Sequence, residues 1–341
     1  MKEGLGTKAT EQTKNQNRPD IMNPIHATLH SFMKSKSSLR SRALVGSIAA
    51  LLAVPAAHAA TLTWDIAPGD GAVVTDGSGT WSDAAGNWND AGVDVNWANG
   101  TPDDAIFGGT AGAFGTVSLG GTAITAGSLT FNTPNGGGAY TIDTSTFGLT
   151  LNTGITANES ATIQSGAGGS IILGASNAWS IAATKTLAIT SAISGATFGI
   201  TKSGAGVLTL SNTNTYTGQT TVTDGTLNAS ATDALGTGAA LLVNGGTVAI
   251  STFSNTVGAV TLTSGSITGS TGTLTGTSFA VESGSIGANL AGVGAALTKT
   301  TTGRRSGHAH TGFGSGGNSQ LLFRAAGGST GTSDWSAPST T

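Results

Sequence analysis

The chain has 341 residues, of which 54 are glycine and only 9% are charged, and its formal net charge is −3. Its sparse charge and many Thr, Val and Ile residues exclude the composition of disordered chains, which are highly charged and poor in β-branched residues. No cysteine is present, which excludes disulfide frameworks and thiolate metal sites. The composition therefore indicates an ordered, turn-rich β protein.

Basic residues are unevenly distributed along the chain. Eight of the fourteen Lys and Arg residues lie in the first 42 positions, whereas residues 60–341 hold six basic and fourteen acidic residues, a balance of −8. No basic stripe is therefore available to contact a phosphate backbone. The sequence predicts no nucleic-acid partner.

Residues 1–59 have the organisation of a secretory signal peptide. Basic residues at 34–42 precede an apolar run, ALVGSIAALLAV, and Ala57 and Ala59 satisfy the small-x-small rule for cleavage after Ala59. About twelve apolar residues are too few to cross a bilayer, which needs roughly twenty. We therefore expect an exported protein, with the cut between Ala59 and Ala60.

The start of the chain is unusually polar for a signal peptide. Residues 1–32 lengthen the n-region well beyond its ordinary size. A chain that starts at Met33 would carry a signal of ordinary length. We therefore expect translation to begin at Met33 or Met22.

Residues 60–115 are rich in tryptophan and aspartate. They hold eight aspartates and four of the six tryptophans of the chain, Trp64, Trp81, Trp88 and Trp97. Terminal units of a solenoid differ from internal ones because they must cover an open core. We interpret this segment as an N-terminal cap in which the tryptophans close the first turn.

Residues 116–303 alternate apolar and small polar residues in short runs such as TVSLG, FGLTLN, SIILG and GVLTLS. Strict alternation over four to six residues is typical of half-buried strands, and Gly, Asn or Ser-Gly ends each run. Aromatic residues are too few for the core of a compact barrel or sandwich, while small β-branched side chains suit stacking between successive coils. The sequence therefore predicts an all-β protein, a right-handed parallel β-helix with an atypical N-terminal cap.

One stretch, residues 199–228, carries a distinctive spacing of residues. Its fixed positions recur mostly at every second residue and are Ile200, Lys202, Gly204, Gly206, Leu208, Leu210, Asn214, Tyr216, Gly218, Thr220, Val222, Gly225 and Leu227. This pattern resembles the autotransporter-associated β-strand repeat, also called the passenger-associated transport repeat. We assign these residues a structural role in the repeat.

The resemblance implies a β-helical passenger of a bacterial surface protein, with a repeat that assists secretion through the outer membrane. It also implies secretion machinery as a partner, together with an outer-membrane translocator barrel that this chain does not contain. Adhesion to a surface glycan or another host ligand is the natural extension of the family analogy. The expected location is the cell surface, associated with the outer membrane or secreted.

A partial second copy of the repeat begins at residue 288. ANLAGVGAALTKTTTG aligns without gaps on SAISGATFGITKSGAG, which places Lys299 on Lys202. The pattern then stops, and residues 304–341 hold both histidines and half of the basic residues that follow Ala59. We interpret residues 304–341 as an irregular tail that arises from a frame shift near Arg304.

No catalytic, metal-binding or cofactor-binding motif is predicted in the mature chain. Between Asp143 and the tail, only four scattered carboxylates are available, Glu159, Asp224, Asp233 and Glu282. A glycosidase needs two facing carboxyl groups, and we interpret Asp224 and Asp233 as turn residues. Lys202 is expected to be an exposed charge at the edge of a turn, and Tyr216 to pack across a turn. His308 and His310 supply only two metal ligands, too few for a closed site.

The N-terminal segment leaves an alternative function open. Asp103 and Asp104 lie near Trp97 in sequence. Carboxylates beside an aromatic ring suit a carbohydrate site, and carboxylates also suit a Ca²⁺ site. The alternative is a carbohydrate-active β-helix enzyme or a sugar-binding module. A sugar-binding module would need exposed tryptophans.

Overall fold

The computed structural model describes residues 59–69, 73–84 and 86–299, and the backbone of two further strands at 321–323 and 333–335. Most of the signal peptide and most of the tail lie outside the described residues, as do His308, His310 and Met33. The described part contains no α-helix, and therefore none that could span a membrane. The boundaries assigned to the segments remain predictions.

Short parallel strands stack in three columns, and successive turns of the chain pass through each column once. Column 1 contains β1 (Thr61–Trp64), β6 (Asp104–Phe107), parts of β9 (Ile124–Phe131) and β11 (Gly148–Ala157), β14 (Asn177–Ile181), β17 (Ile200–Ser203), β19 (Thr220–Val222), parts of β21 (Leu241–Ser251) and β23 (Ala259–Gly269), β25 (Ser278–Val281) and β28 (Ala296–Lys299). The result is a β-solenoid of about nine turns. The prediction of an all-β solenoid with parallel strands is confirmed.

Two further columns complete each turn. Column 2 contains β3 (Gly79–Trp81), β8 (Thr116–Leu119), β10 (Tyr140–Asp143), β12 (Ala161–Gln164), β15 (Thr186–Ile189), β18 (Val207–Leu210), β20 (Thr226–Ala229), the second halves of β21 and β23, and β26 (Gly284–Ile286). Column 3 contains the first halves of β9 and β11, then β13 (Ser170–Leu173), β16 (Ala192–Ser194), β22 (Asn255–Thr256), β24 (Thr273–Thr275) and β27 (Asn289–Ala291). A separate pair joins β2 (Thr75–Asp76) to β7 (Ala111–Gly112).

The core is a set of inward-facing ladders, because side chains alternate between the two faces of each strand. In column 1 the paired inward residues of successive turns are Leu62, Ala105, Leu129, Ile155, Trp179, Lys202, Val222, Val243, Leu262, Val281 and Lys299. Each inward residue therefore stacks on its counterparts in the turns before and after. The alternation of apolar and small polar residues in the sequence corresponds to this alternation of inward and outward positions.

The turns shorten towards the C-terminal end of the solenoid. Leu129 pairs with Ile155 and Val281 pairs with Lys299, and the second interval in sequence is clearly shorter than the first. The core residues change in the same direction, since the buried tryptophans lie in the longer turns, while the hydrophobic core of the shortest turns is aliphatic apart from Phe279. The solenoid is therefore tapered along its axis.

An antiparallel hairpin lies on the free edge of the first turn. The strand β4 (Trp88–Asp90) pairs with β1, and β5 (Val93–Val95) pairs with β4. The four tryptophans, of which Trp88 belongs to β4, are at most 2% exposed and pack edge to face or tilted, with the Trp81 and Trp97 rings 4.8 Å apart. These rings close the core of the first turn.

The other end carries two short strands from the tail. The backbones of β29 (Leu321–Phe323) and β30 (Ser333–Trp335) pair antiparallel with β26 and β28. The remainder of residues 304–341 lies outside the described part, so the frame-shift hypothesis remains a prediction.

Replacing Trp81 with alanine should loosen the first turn while leaving distant turns unchanged. The ring packs directly against Trp88, Trp97 and Phe107, and removing a buried tryptophan costs about 3–5 kcal/mol. Solenoid turns depend mainly on their neighbours, so hydrogen exchange should accelerate in β1 and β6 and stay unchanged in β25. Val93→Ala, at a side chain that is 62% exposed, is the control. Equal acceleration at both ends would contradict this prediction.

Candidate functional site

The repeat spans one and a half turns of the solenoid, through β17, β18, β19 and β20. Nine of its thirteen fixed positions are side chains at most 1% exposed, namely Ile200, Lys202, Leu208, Leu210, Asn214, Tyr216, Thr220, Val222 and Leu227. The other four are the glycines Gly204, Gly206, Gly218 and Gly225. The pattern is therefore the inward face of the solenoid together with the glycines that let neighbouring turns approach.

Lys202 is buried, and the expectation that it is an exposed edge charge is wrong. It pairs with Trp179 on the preceding turn and Val222 on the next, both of which point into the core. Its side chain is 0% exposed. Because side chains alternate along a strand, Lys202 lies on the same face as Ile200, and the sequence could therefore have predicted its burial.

The ammonium group of Lys202 binds the backbone where column 1 bends into column 2. Its Nζ donates to the carbonyl oxygens of Ser203 at 2.9 Å, Gly204 at 2.6 Å and Asp224 at 3.1 Å. Three donors on one nitrogen thus satisfy carbonyl groups from two successive turns. Burial lowers the pKa of Lys202 to about 8, and the charge of Asp224 acts in the opposite direction.

Glycine is required at this bend by both conformation and space. Gly204 and Gly225 have positive φ angles of 72° and 62°, which L side chains rarely adopt. A Cβ atom on Gly225 would collide with the carbonyl oxygen of Gly206. At another corner, just before β19, a Cβ atom on Gly218 would collide with the backbone of Phe198. The glycines therefore set the contact distance between consecutive turns.

Asn214 connects three successive turns through its amide side chain. Its Oδ1 accepts a hydrogen bond from the backbone nitrogen of Ile193 at 2.8 Å, and its Nδ2 donates to the carbonyl oxygen of Ala234 at 2.6 Å. Column 3 has no assigned strand at this turn, but backbone bonds still join the turns there, for example from the backbone nitrogen of Thr215 to the carbonyl oxygen of Ile193 at 2.8 Å. The amide of Asn214 adds two further bonds to this third side of the solenoid.

Tyr216 is buried in the core, and its hydroxyl is satisfied there. The hydroxyl groups of Tyr216 and Thr220 lie 2.7 Å apart, and Thr220 donates to the carbonyl oxygen of Leu235 at 3.2 Å. Burial raises the pKa of the Tyr216 phenol. This chain of hydrogen bonds again ends on the following turn.

The two aspartates of the later turns bond to backbone amides. Asp224 accepts from its neighbour Gly225 at 2.7 Å, and Asp233 accepts from the backbone nitrogen of Thr256, one turn later, at 2.8 Å. Asp233 also has a positive φ of 53°. Both residues therefore act as turn residues. Within the part of the chain that the structure describes, no three potential metal-ligating side chains lie together.

Asp103 and Asp104, the carboxylates near Trp97, also accept hydrogen bonds from the protein itself. Asp103 is 5% exposed and accepts from the backbone nitrogen of Ala60 at 2.7 Å, while Asp104 accepts from the hydroxyl of Ser128 at 2.7 Å. Trp97, the nearby ring, is buried and donates to the carbonyl oxygen of Thr125. The four tryptophans of this segment are all buried, unlike the exposed rings that a sugar-binding module needs.

Sequence reasoning missed two side-chain contacts between different turns. Tyr140 donates a hydrogen bond of 2.5 Å to Asp76, and Lys185 forms an ion pair with Glu159, 2.6 Å apart, on the neighbouring turn. The first pair is far apart in sequence, and no local pattern signals it. The second follows from stacking, because Glu159 and Lys185 are separated by the same interval as Leu129 and Ile155, which is one turn at this level.

The strands of the partial second copy lie where the alignment predicts. β27 aligns with β16 in the sequence comparison, and both occupy column 3. Lys299 lies on the inward ladder of column 1, as Lys202 does, and its Nζ donates to the carbonyl oxygen of Glu282 at 3.0 Å. The second copy itself remains a prediction.

Lys202→Met should remove a rise in stability between about pH 8 and pH 10. An unfolded lysine has a pKa near 10.4, so in this window the unfolded chain binds more protons than the folded chain. The free energy of unfolding then increases with pH, by at most about 1.4 kcal/mol per pH unit. Denaturant unfolding at several pH values measures this slope.

Thr201→Met, at the neighbouring exposed position, is the control for adding a methionine and should keep the slope. An unchanged slope in Lys202→Met would show that another group causes the pH dependence. The comparison is best read below about pH 10, because the window ends at the pKa of an unfolded lysine, near 10.4.

Comparisons with known proteins agree with this geometry. The family model of the passenger-associated transport repeat matches residues 200–229, almost the same segment as the predicted 199–228. The chain is also 35% identical, over 204 residues, to the adhesin BmaC autotransporter of Brucella suis biovar 1 (strain 1330). That alignment covers 58% of this chain and 5% of the relative. No solved structure gives a significant match.

The chain thus corresponds to a small part of the length of the relative that it matches. The predicted resemblance is confirmed, because the family model covers the residues whose spacing suggested it. Nine of the fixed positions are buried in the solenoid, and the other four are glycines. Residues 200–229 match the family model of the passenger-associated transport repeat, and in the structure they lie within a β-solenoid.

Proposed function

We propose that this chain is an exported, structural passenger-type protein of the bacterial cell surface, and that its repeat assists secretion by promoting folding outside the cell. The observation that carries the proposal is the set of buried polar contacts by which the repeat joins successive turns. The side chain of Lys202 bonds to the carbonyl oxygen of Asp224 on the following turn, and that of Asn214 bonds to Ile193 on the preceding turn and to Ala234 on the following one. A folded turn therefore offers specific partners to the turn that stacks on it.

This arrangement suits a chain that emerges gradually through a pore. A solenoid turn needs only its neighbours, so folding can proceed one turn at a time in the order of emergence. The charge of residues 60–303 is sparse and cysteine is absent, so few groups oppose threading as an unfolded chain. The free energy released as each turn folds outside the cell would oppose return of the chain through the pore and would favour its outward movement.

The partners that this function requires are those of export. The predicted signal peptide would direct the chain to the secretion machinery of the inner membrane, and an outer-membrane translocator barrel would carry it outward. The protein would then reside at the cell surface, associated with the outer membrane or secreted. No catalytic activity of its own is proposed.

Adhesion is proposed as the purpose of surface display. The relative is an adhesin by its printed name, and the outward faces of the columns present hydroxyl-rich ladders such as Thr116, Thr141 and Thr162 in column 2. Such faces suit hydrogen bonding to a surface glycan or host ligand. The enzyme alternative has no comparable support, because the tryptophans that would line a sugar site are buried.

The test compares two glycine variants for surface display in the source bacterium. Gly225→Ala introduces a Cβ that collides with Gly206 at a positive φ, whereas a Cβ on Gly287 meets nothing within 4 Å. Strained backbone costs about 1–3 kcal/mol, so Gly225→Ala should slow the folding of the repeat. We expect several-fold less protein to be accessible to external protease, with Gly287→Ala at the wild-type level.

Folding and export must be measured on the same variants. If Gly225→Ala destabilises the purified protein but reaches the surface in the wild-type amount, the secretion-assisting role is wrong. If both variants lose surface protein equally, the effect does not come from the repeat. Periplasmic accumulation of Gly225→Ala would identify outer-membrane passage as the affected step.

A further inference from the structure

The first residue of the mature chain, as the signal-peptide rule predicts it, lies against a buried carboxylate. The backbone nitrogen of Ala60 is 2.7 Å from Oδ1 of Asp103. On the other side of the same residue, the carbonyl oxygen of Ala60 accepts a hydrogen bond from the backbone nitrogen of Asp104 at 2.8 Å. Ala59, just before it, is exposed.

Asp103 is poorly accommodated by the neighbours that it has before cleavage. Burial raises its pKa, the hydrogen bond from Ala60 lowers it, and the charges of Asp104 and Asp90 raise it further. Burial and the two neighbouring carboxylates thus disfavour the charged form of Asp103. The amide of Ala60 is the one group here that stabilises the charged form. A buried carboxylate is stabilised far better by a cation than by a neutral amide.

Side-chain cations are absent from this part of the sequence. Residues 60–184 contain ten acidic residues and no lysine, arginine or histidine. The α-amino group of a mature chain that begins at Ala60 would therefore be the first positive charge in a long acidic stretch. At neutral pH this group is protonated, since its ordinary pKa is about 7.7–8.0.

We propose that signal-peptide cleavage creates an ion pair between the new α-ammonium group of Ala60 and the carboxylate of Asp103, and that this pair fastens the first turn. Hydrolysis breaks the Ala59–Ala60 peptide bond. Water supplies the hydroxyl of the Ala59 carboxyl group and the hydrogen of the Ala60 amine. The amine then takes up a proton from solvent, which places a charged donor where an amide stood.

The pair would lie where β1 meets β6, because Thr61 pairs with Asp104 in the column 1 ladder. Asp103 is also fixed to the next turn, since its carbonyl oxygen accepts from the backbone nitrogen of Gly127 at 2.8 Å. The new charge therefore acts at the junction of the first three strands of the column. An uncleaved precursor has a weaker first turn, so stable closure follows processing.

The proposal rests on the exported state that the proposed function includes, and a separate measurement tests that dependence. N-terminal sequencing of protein taken from the cell surface should begin at Ala60. If the surface protein begins elsewhere, the proposed ion pair is excluded, while the surface location itself stands. Surface protein with an intact leader would exclude the link to processing in the same way.

The ion pair is tested by moving the amine and keeping the rest of the chain. We compare a chain that begins at Ala60 with one that begins at Ala59, which shifts the amine by one residue, about 3.8 Å between Cα atoms. Hydrogen exchange of the Asp104 and β1 amides should be slower in the Ala60 chain by about tenfold or more, the size expected of a charge-assisted hydrogen bond. Equal exchange in the two chains would overturn the proposal.

Charge variants identify the partner of the amine. Asp103→Asn should abolish the difference between the two chains, whereas Asp104→Asn, the adjacent and less buried carboxylate, should preserve it. A difference that survives Asp103→Asn would also overturn the proposal. If Asp103→Asn prevents folding of the first turn, the two chains with Asp103 intact still decide the matter.

The pH dependence provides an independent readout. Pairing raises the folded-state pKa of the ammonium group above its unfolded value near 8. The extra protection is therefore complete below about pH 8 and is lost as pH rises through the folded-state pKa. The charged groups around the amine are Asp103, Asp104 and Asp90, and carboxyl groups ordinarily titrate far below this range. Protection that does not change between about pH 7 and pH 11 would contradict the ion pair.

Discussion

The hydrogen-bonded ladder between successive turns is the constraint on which the rest of the molecule depends. Because the backbone of each turn bonds to the next, every inward position must be compatible with the residues one turn earlier and one turn later. This requirement explains the alternation of apolar and small polar residues. It also explains glycine at the bends, where the carbonyl groups of one turn occupy the space that a side chain of the next would need.

Within this constraint, the repeat is a region where polar groups enter the core. Many other turns are held mainly by aliphatic stacking, which is strong but has little directional preference. Buried polar side chains act differently, because an unsatisfied polar group in the core costs free energy and only one register satisfies it. Lys202 and Asn214 therefore distinguish the correct neighbouring turn from others of similar hydrophobicity.

The fold was largely predictable because its signal is periodic and local. Runs such as GVLTLS identify strands, and the spacing of the repeat identifies residues that prove to face inward. The orientation of Lys202 was predictable from its parity with Ile200, but its charge suggested exposure, and three carbonyl groups outweighed that preference. The contact of Ala60 with Asp103 joins residues that are distant in sequence across an insertion, and no period reveals it.

The decrease in turn length has a consequence for the order in which turns can assemble. A long turn, such as that from Leu129 to Ile155, and a short turn, such as that from Val281 to Lys299, enclose different cross-sections. Each turn therefore matches only neighbours of nearly equal perimeter. If a turn stacked on one of a very different length, the core would contain a gap or part of a strand would remain unpaired. The gradual decrease in turn length thus gives the stack a direction that identical turns would lack.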